Sequence, residues 1–160
     1  MKRLARISGD TVFLVVRQGD HSVCLHREEG HYPVKVFTTD VGERRLMGIG
    51  AGSLGLMAKL SDEEIALIME RNAAAYVQSG FTLAQMQAAV KRTREAGYAE
   101  ITDTVTKGVS GVGRTFEASP STLAAMSFGA ITTRLPLARR RELARLLAEQ
   151  LAIGFASASA

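Results

Sequence analysis

The sequence predicts an α+β domain in which one antiparallel sheet of six strands has helices packed against it. Three observations lead there. Short runs rich in β-branched and aromatic residues open the chain and return near its end, separated by tight turns. Between the two sets the apolar spacing changes to the helical period, with helix-start signals at Ser61 and Thr82. The chain has 160 residues with a hydrophobic fraction of 46%, ordinary for one folded core.

Lys2 to Ile7 reads as the end of a helix, with Leu4 and Ile7 spaced for one face and Ser8-Gly9 as its stop. Thr11 to Arg17 is a strand, Gln18-Gly19-Asp20 a turn, and Ser22 to Arg27 the hairpin partner. Glu28 to His31 turns again. Tyr32 to Thr38 then reads as a third strand, with Pro33 at a position an edge tolerates.

Gly42 to Lys59 is the stretch around which the chain is organised. Five glycines (Gly42, Gly48, Gly50, Gly52, Gly55) are followed by unbranched apolar residues, which predicts a tight loop feeding a helix. The first N–H groups of such a helix have no partner inside it and suit a carboxylate or phosphate. Ser61 opens the next helix, its hydroxyl capping Glu64 while the Glu64 carboxylate reaches back; Ile65, Ile68 and Met69 point inward and the end falls near Asn72.

Thr82 and Gln85 repeat the device. Leu83, Met86, Ala89 and Val90 share the apolar face of that helix, Lys91, Arg92, Arg94 and Glu95 the wet one, and Gly97 stops it. Tyr98 to Thr106, Val109 to Phe116 and Thr122 to Ile131 alternate as three further strands, joined too tightly to be anything but antiparallel neighbours. Pro136 stands in the first turn of a final helix with the stripe Leu143, Leu146, Leu147, Leu151. Ala156 to Ala160 reads as a frayed tail.

Several function classes lose support on residue grounds. Gly50, Gly52 and Gly55 fit G-x-G-x-x-G, but Glu43-Arg44-Arg45 precedes them instead of a buried strand and Glu70 falls inside a helical pattern. No Gly-Lys-Ser/Thr follows, so the phosphate-loop pattern fails. The lone Cys24 forms no internal disulfide, and His21, Cys24, His26 and His31 lack paired-ligand spacing for zinc. The formal charge of +4 is scattered over several elements and reads as solvated helix faces. The apolar runs are too short to span a bilayer and Met1-Lys2-Arg3 has no signal-peptide core after it, so a cytoplasmic protein is expected.

On the last three strands the inward positions Gly111, Gly113, Ala125, Ser127 and Gly129 are unusually small. Either backbone packs close to them or a cavity remains. A cavity beside the Gly50-Ala51-Gly52 helix start would hold a small ligand with its acid group on the free amides and Ser127 as a further donor.

Four blocks, in this order, now carry a resemblance: SGDTVFLVVRQGD, VGERRLMGIGAGSLGLMAKLSDEE, LAQMQAAVKRTREAGYAEITDTVTKGVSGVGRTF and LAAMSFGAITTRL. The chain resembles the C-terminal effector-binding domain of IclR-type bacterial transcriptional regulators, relatives of the GAF fold. The resemblance implies a single effector-binding domain over residues 1–160, of which 1–8 end a linker helix. It also implies a small-molecule effector, often a carboxylic acid, and assembly as a homodimer or tetramer. DNA would be contacted only through an N-terminal winged helix-turn-helix domain, which this chain lacks, so the chain is expected to be part of something longer.

Carried over residue by residue, the resemblance places ligand contacts at Gly50, Ala51, Ile101, Gly111, Ser127 and Gly129, with Val36, Leu46 and Val109 as apolar walls. It calls for no cofactor, no metal and no catalysis. Ile101 stands where relatives have an acidic residue and Gly111 where they have cysteine; Arg45 and Met47 replace a proline and a histidine, and Ser53 a lysine. These departures imply a less polar, roomier pocket and an aromatic or branched acid. Two alternatives are an enzyme on the same scaffold using Ser127, Asp103, Cys24 or His26, and a structural dimerisation domain with a filled pocket.

Overall fold

Period-two alternation in the strands sends successive side chains to opposite faces of one sheet, and this decides the architecture. The structure, a computed structural model, describes residues 1–156. In chain order the elements are α1 (Lys2–Ser8), β1 (Thr11–Gln18), β2 (His21–Glu28), β3 (Arg44–Leu46), α2 (Ala51–Met57), α3 (Asp62–Arg71) and α4 (Ala73–Gln78). There follow α5 (Leu83–Ala96), β4 (Ala99–Thr102), β5 (Val109–Ser119), β6 (Thr122–Ile131), a 3-10 turn (Thr132–Arg134) and α6 (Leu137–Ala156). The strands form one sheet in the order β3-β2-β1-β6-β5-β4. Every neighbouring pair is antiparallel, as the short connections require.

On one face Val12, Phe128 and Ala130 pack with Leu4 and Ala5 of α1 and with Leu143 and Leu147 of α6. On the other, Phe13, Val15 and Ala125 pack with Leu54 and Met57 of α2, Ile65 and Ile68 of α3, Tyr76 of α4, and Met86 and Val90 of α5. The sheet is thus the middle of three layers, an α+β arrangement with a core on each face. α1 stops at Gly9 and α5 at Gly97, as predicted, and the Thr82–Gln85 capping box is complete.

Tyr32 to Thr38 is not a strand. Pro33 withholds an amide, and of the run only Val36 is buried while Val34 and Phe37 stay 52% and 54% exposed, so no face of a strand is covered. Phe37 lies under the Arg27 guanidinium instead, with Arg27 Cζ 4.5 Å from the ring centroid. The edge beside β2 goes to β3, which sets Arg45 opposite Ser22. β4 ends at Thr102, short of the expected Thr106, because Asp103 turns the chain with φ 57. Its Oδ1 accepts from the Gly108 N–H at 2.7 Å.

The capping box at Ser61 is half formed. Ser61 Oγ accepts from the Glu64 N–H at 3.2 Å, but the Glu64 carboxylate meets Arg17 at 2.5 Å rather than folding back. Leu83 is exposed on α5, and Thr93 takes a buried place on that helix. α4 was not foreseen; it buries Tyr76, whose Oη donates to the Met47 carbonyl at 2.8 Å. Of the predicted tail, Ala156 is the last residue of α6, and 157–160 lie outside the described residues.

Candidate functional site

The glycine loop delivers α2 to the sheet. Gly50 is its N-cap at φ 101 and ψ 151, a conformation costly for any residue with a Cβ. The Leu54 N–H donates to the Gly50 carbonyl at 2.8 Å, and Ser53 Oγ accepts from the Gly48 N–H at 3.0 Å. Among the described residues, no acceptor outside α2 is paired with the amides of Ala51, Gly52 or Ser53.

Small residues on both sides let this helix start sit almost on the strand backbone. A Cβ at Gly113 would lie 2.6 Å from the Ala51 carbonyl oxygen, and one at Gly52 would lie 2.8 Å from Val15 Cγ2. The α2 backbone therefore fills part of the glycine face. What remains is a narrow cavity of about 50 Å³, reached by Gly50, Ala51, Ile101, Val109, Gly111, Ser127 and Gly129. Val36 and Leu46, expected as walls, do not line it. Val36 is buried against the Gly129 position, where a Cβ would meet its Cγ1 at 3.4 Å, and the Leu46 carbonyl accepts from Ser53 Oγ at 3.4 Å.

The lining also contains residues the sequence reading did not assign to it. Phe13 enters because β1 pairs with β6 and shares its inner face, Phe13 lying opposite Ser127. Ser22, Thr38, Glu43 and Arg45 enter because β3 and the segment before it cover β2. The signal for Phe13 was available in the alternation of β1. The signal for Arg45 was its departure from the family pattern.

The cavity is mostly apolar, yet charged at one side. Arg45 Nη2 donates to Glu43 Oε1 at 2.8 Å and also to the Thr38 carbonyl, while its Nε is buried without an acceptor among the described residues. Glu43 is held from its other oxygen by the Asp40 N–H at 2.9 Å. The hydroxyls of Ser22 and Ser127, both buried residues, make no hydrogen bond among the described residues. Burial pushes the Cys24 thiol up from its ordinary pKa, and Sγ donates to the His26 carbonyl at 3.5 Å, so it is a poor nucleophile.

The residues considered for catalysis do not assemble. Cys24 and Ser127 both reach the cavity, but Asp103 is the turn residue beyond β4, and the His26 ring faces Glu28 at 3.2 Å near the surface. No group of three or more His, Cys, Asp or Glu suited to a metal occurs among the described residues. Several of the arginines are internally paired: Arg139 and Arg134 with Asp10, Arg140 with Glu100, Arg94 with Asp62. No helix among the described residues is long and apolar enough to cross a membrane.

The family described as bacterial transcriptional regulator IclR C-terminal matches residues 1–152. The chain belongs to this family. Among solved structures, this IclR C-terminal domain is similar to the effector domain of a protein described as the transcriptional regulator IclR of Acinetobacter sp. ADP1. That match has 19% identity and a TM-score of 0.81, and covers 94% of this chain and 90% of the other. It is also similar to the transcriptional regulator YaiJ (20% identity, TM-score 0.78, 94% and 90% covered). An IclR transcriptional regulator from Alicyclobacillus acidocaldarius matches with 19% identity and a TM-score of 0.80, over 94% of this chain but 62% of that one. At these identities the likeness is one of fold. No curated protein matches the chain.

Proposed function

We propose that this IclR C-terminal domain is a sensor that binds a small organic acid between the start of α2 and strands β5 and β6. In this reading binding favours one arrangement of a homodimer or homotetramer and so controls an N-terminal winged helix-turn-helix domain in a cytoplasmic regulator, without catalysis. The observation that carries it is the cavity at the glycine-hinged helix start, where amides and two serine hydroxyls have no partner among the described residues. A filled dimerisation core would have no use for uncommitted donors beside an opening.

Size narrows the ligand. A cavity of about 50 Å³ is well below the roughly 150 Å³ that admits benzene. A short branched acid therefore needs less rearrangement than an aromatic one. A route toward α1 is also in place. The segment carrying Thr38 and Thr39 begins at Tyr32, whose N–H donates to the Gly9 carbonyl at 3.0 Å at the end of α1. The Arg134 guanidinium lies 3.6 Å over the Tyr32 ring and Arg134 Nε donates to Asp10 at 2.8 Å. Displacement of that segment by a ligand is felt at α1.

The experiment is a thermal-shift screen of short carboxylic acids, repeated with Gly129→Ala and Val109→Phe. Both substitutions add volume to the cavity wall without altering an ion pair. The reading expects the best acid to raise the melting temperature of the parent chain and to lose that effect in both variants. An unchanged response in both removes the proposed site.

A further inference from the structure

We infer that Arg45 selects for an anionic ligand in this cavity, and that Glu43 is the internal carboxylate which the ligand's carboxylate replaces. The inference rests on the reading that the cavity takes a small molecule. It concerns a residue on the β3 side, away from the helix start.

Arg45 lies opposite Ser22 in the β2–β3 register, and both line the cavity with Glu43 and Ser127. Its guanidinium is only partly engaged. Nη2 serves Glu43 at 2.8 Å and the Thr38 carbonyl, while Nε is buried with no acceptor among the described residues. A guanidinium binds a carboxylate best through two parallel N–H groups, and leaving one of them buried and unmet is costly. Glu43 meets Nη2 alone, so the present pairing leaves half of the fork unused.

A carboxylate arriving in the cavity accepts from Nε and an Nη group together. Ser22 and Ser127, whose hydroxyls have no hydrogen bond among the described residues, supply donors for the remaining lone pairs. Glu43 keeps the Asp40 N–H at 2.9 Å when it yields Arg45, so it is not stranded. The apolar end of the ligand then lies along Phe13, Ile101 and Val105, all of which line the same space. The chemistry selected is a monocarboxylate with a short apolar tail, and neutral isosteres are disfavoured because, carrying no charge, they cannot take the place of Glu43 on the guanidinium.

The test is calorimetric titration of the full chain with isovalerate and with isovaleramide, in the parent, Arg45→Met and Glu43→Gln. The parent is expected to bind the acid about tenfold or more tighter than the amide, a charge-assisted pair being worth at least that factor. Arg45→Met should lose about that preference, and Glu43→Gln should tighten acid binding by removing the competitor. Glu43→Gln is independent of whether Arg45→Met folds. Equal affinity for acid and amide, or acid binding unaltered in Arg45→Met, overturns the assignment while leaving the cavity reading standing. Absence of binding by either compound overturns both.

Discussion

Gly113→Ala tests how closely α2 lies on the sheet. The added Cβ would sit 2.6 Å from the Ala51 carbonyl oxygen, 2.7 Å from its carbon and 2.9 Å from the Gly52 nitrogen. All three are backbone atoms, so no rotamer change relieves the contact. The helix start must retreat by close to an ångström, a gap that forfeits about a quarter to a half of the dispersion energy across the seam. Overpacking of this kind costs about 1–3 kcal/mol, and the backbone identity of the atoms puts Gly113→Ala at the upper end. Loss of unfolded-chain entropy offsets about 0.4–1 kcal/mol of it. The net is about 2 kcal/mol, which in a domain of this size lowers the melting temperature by roughly 4–8 °C. Gly111→Ala is the internal control. Its Cβ would meet the Phe128 carbonyl oxygen at 3.0 Å and the Ala51 Cβ at 3.1 Å, so its cost should be clearly smaller. Thermal unfolding of both variants beside the parent decides the matter. Gly113→Ala melting within about 1 °C of the parent, or Gly111→Ala proving the more damaging, would refute the close approach.

Three further outcomes follow from hydrogen-bonded polar groups. The Asp10 side chain is 1% exposed and bridges Arg134 at 2.8 Å and Arg139 at 2.9 Å, so Asp10→Asn should lower stability by about 2 kcal/mol; an unchanged urea midpoint would contradict this. That figure is below the cost for a fully buried pair because both arginine side chains are partly exposed. Burial, assisted by the Asp20 charge, pushes the Tyr76 phenol up to about 12 from 10.0. This contribution is whole below about pH 10 and is lost as the pH rises through about 12, so Tyr76→Phe should remove that part of the alkaline transition. At neutral pH Tyr76→Phe should cost about 1 kcal/mol for the bond to Met47, read by denaturant titration. The Arg71 side-chain bond, with help from Asn72 and against some desolvation, holds Asp20 down at about 2 from 3.8. Its contribution is present above 3.8 and fades as the pH falls through about 2, so Asp20→Asn should flatten the acid limb and cost about 1 kcal/mol at neutral pH, discounted for solvent screening.

Most of the fold was legible because its signals are local. β1, β2 and β6 lie within a residue or two of the predicted limits, since alternation and turn residues state them directly. The helix ends at Gly9 and Gly97 and the cap at Thr82 were equally plain. The failures share one cause. Tyr32 to Thr38 has strand-forming composition but buries only Val36, while Arg44–Leu46, which reads as a charged prelude to the glycine loop, gains strand pairing from β2. Glu64 likewise had a local partner in Ser61 and was drawn to Arg17, 47 positions away in the chain. Wherever a distant element competes with a local preference, the sequence pattern alone cannot rank the two.

The site was legible in its floor and hidden in its volume and charge. Glycine at 111, 113 and 129 states only that side-chain volume is missing, and two outcomes satisfy that equally: a backbone moving in or a space left over. Both occur within a few residues. The Ala51 carbonyl closes over Gly113, while Gly111 and Gly129 still border the cavity. The division between them is set by the seating of Gly52 on Val15, a contact between α2 and β1 that no window of sequence contains. The same holds for polarity. Isoleucine at 101 and glycine at 111 argue for an apolar pocket, but the edge strand β3 brings Arg45 and Glu43 to its side through pairing with β2. A pocket whose residues arrive from α2 and all six strands takes its character from the order of strands in the sheet, and only the strand order reveals which charges it contains.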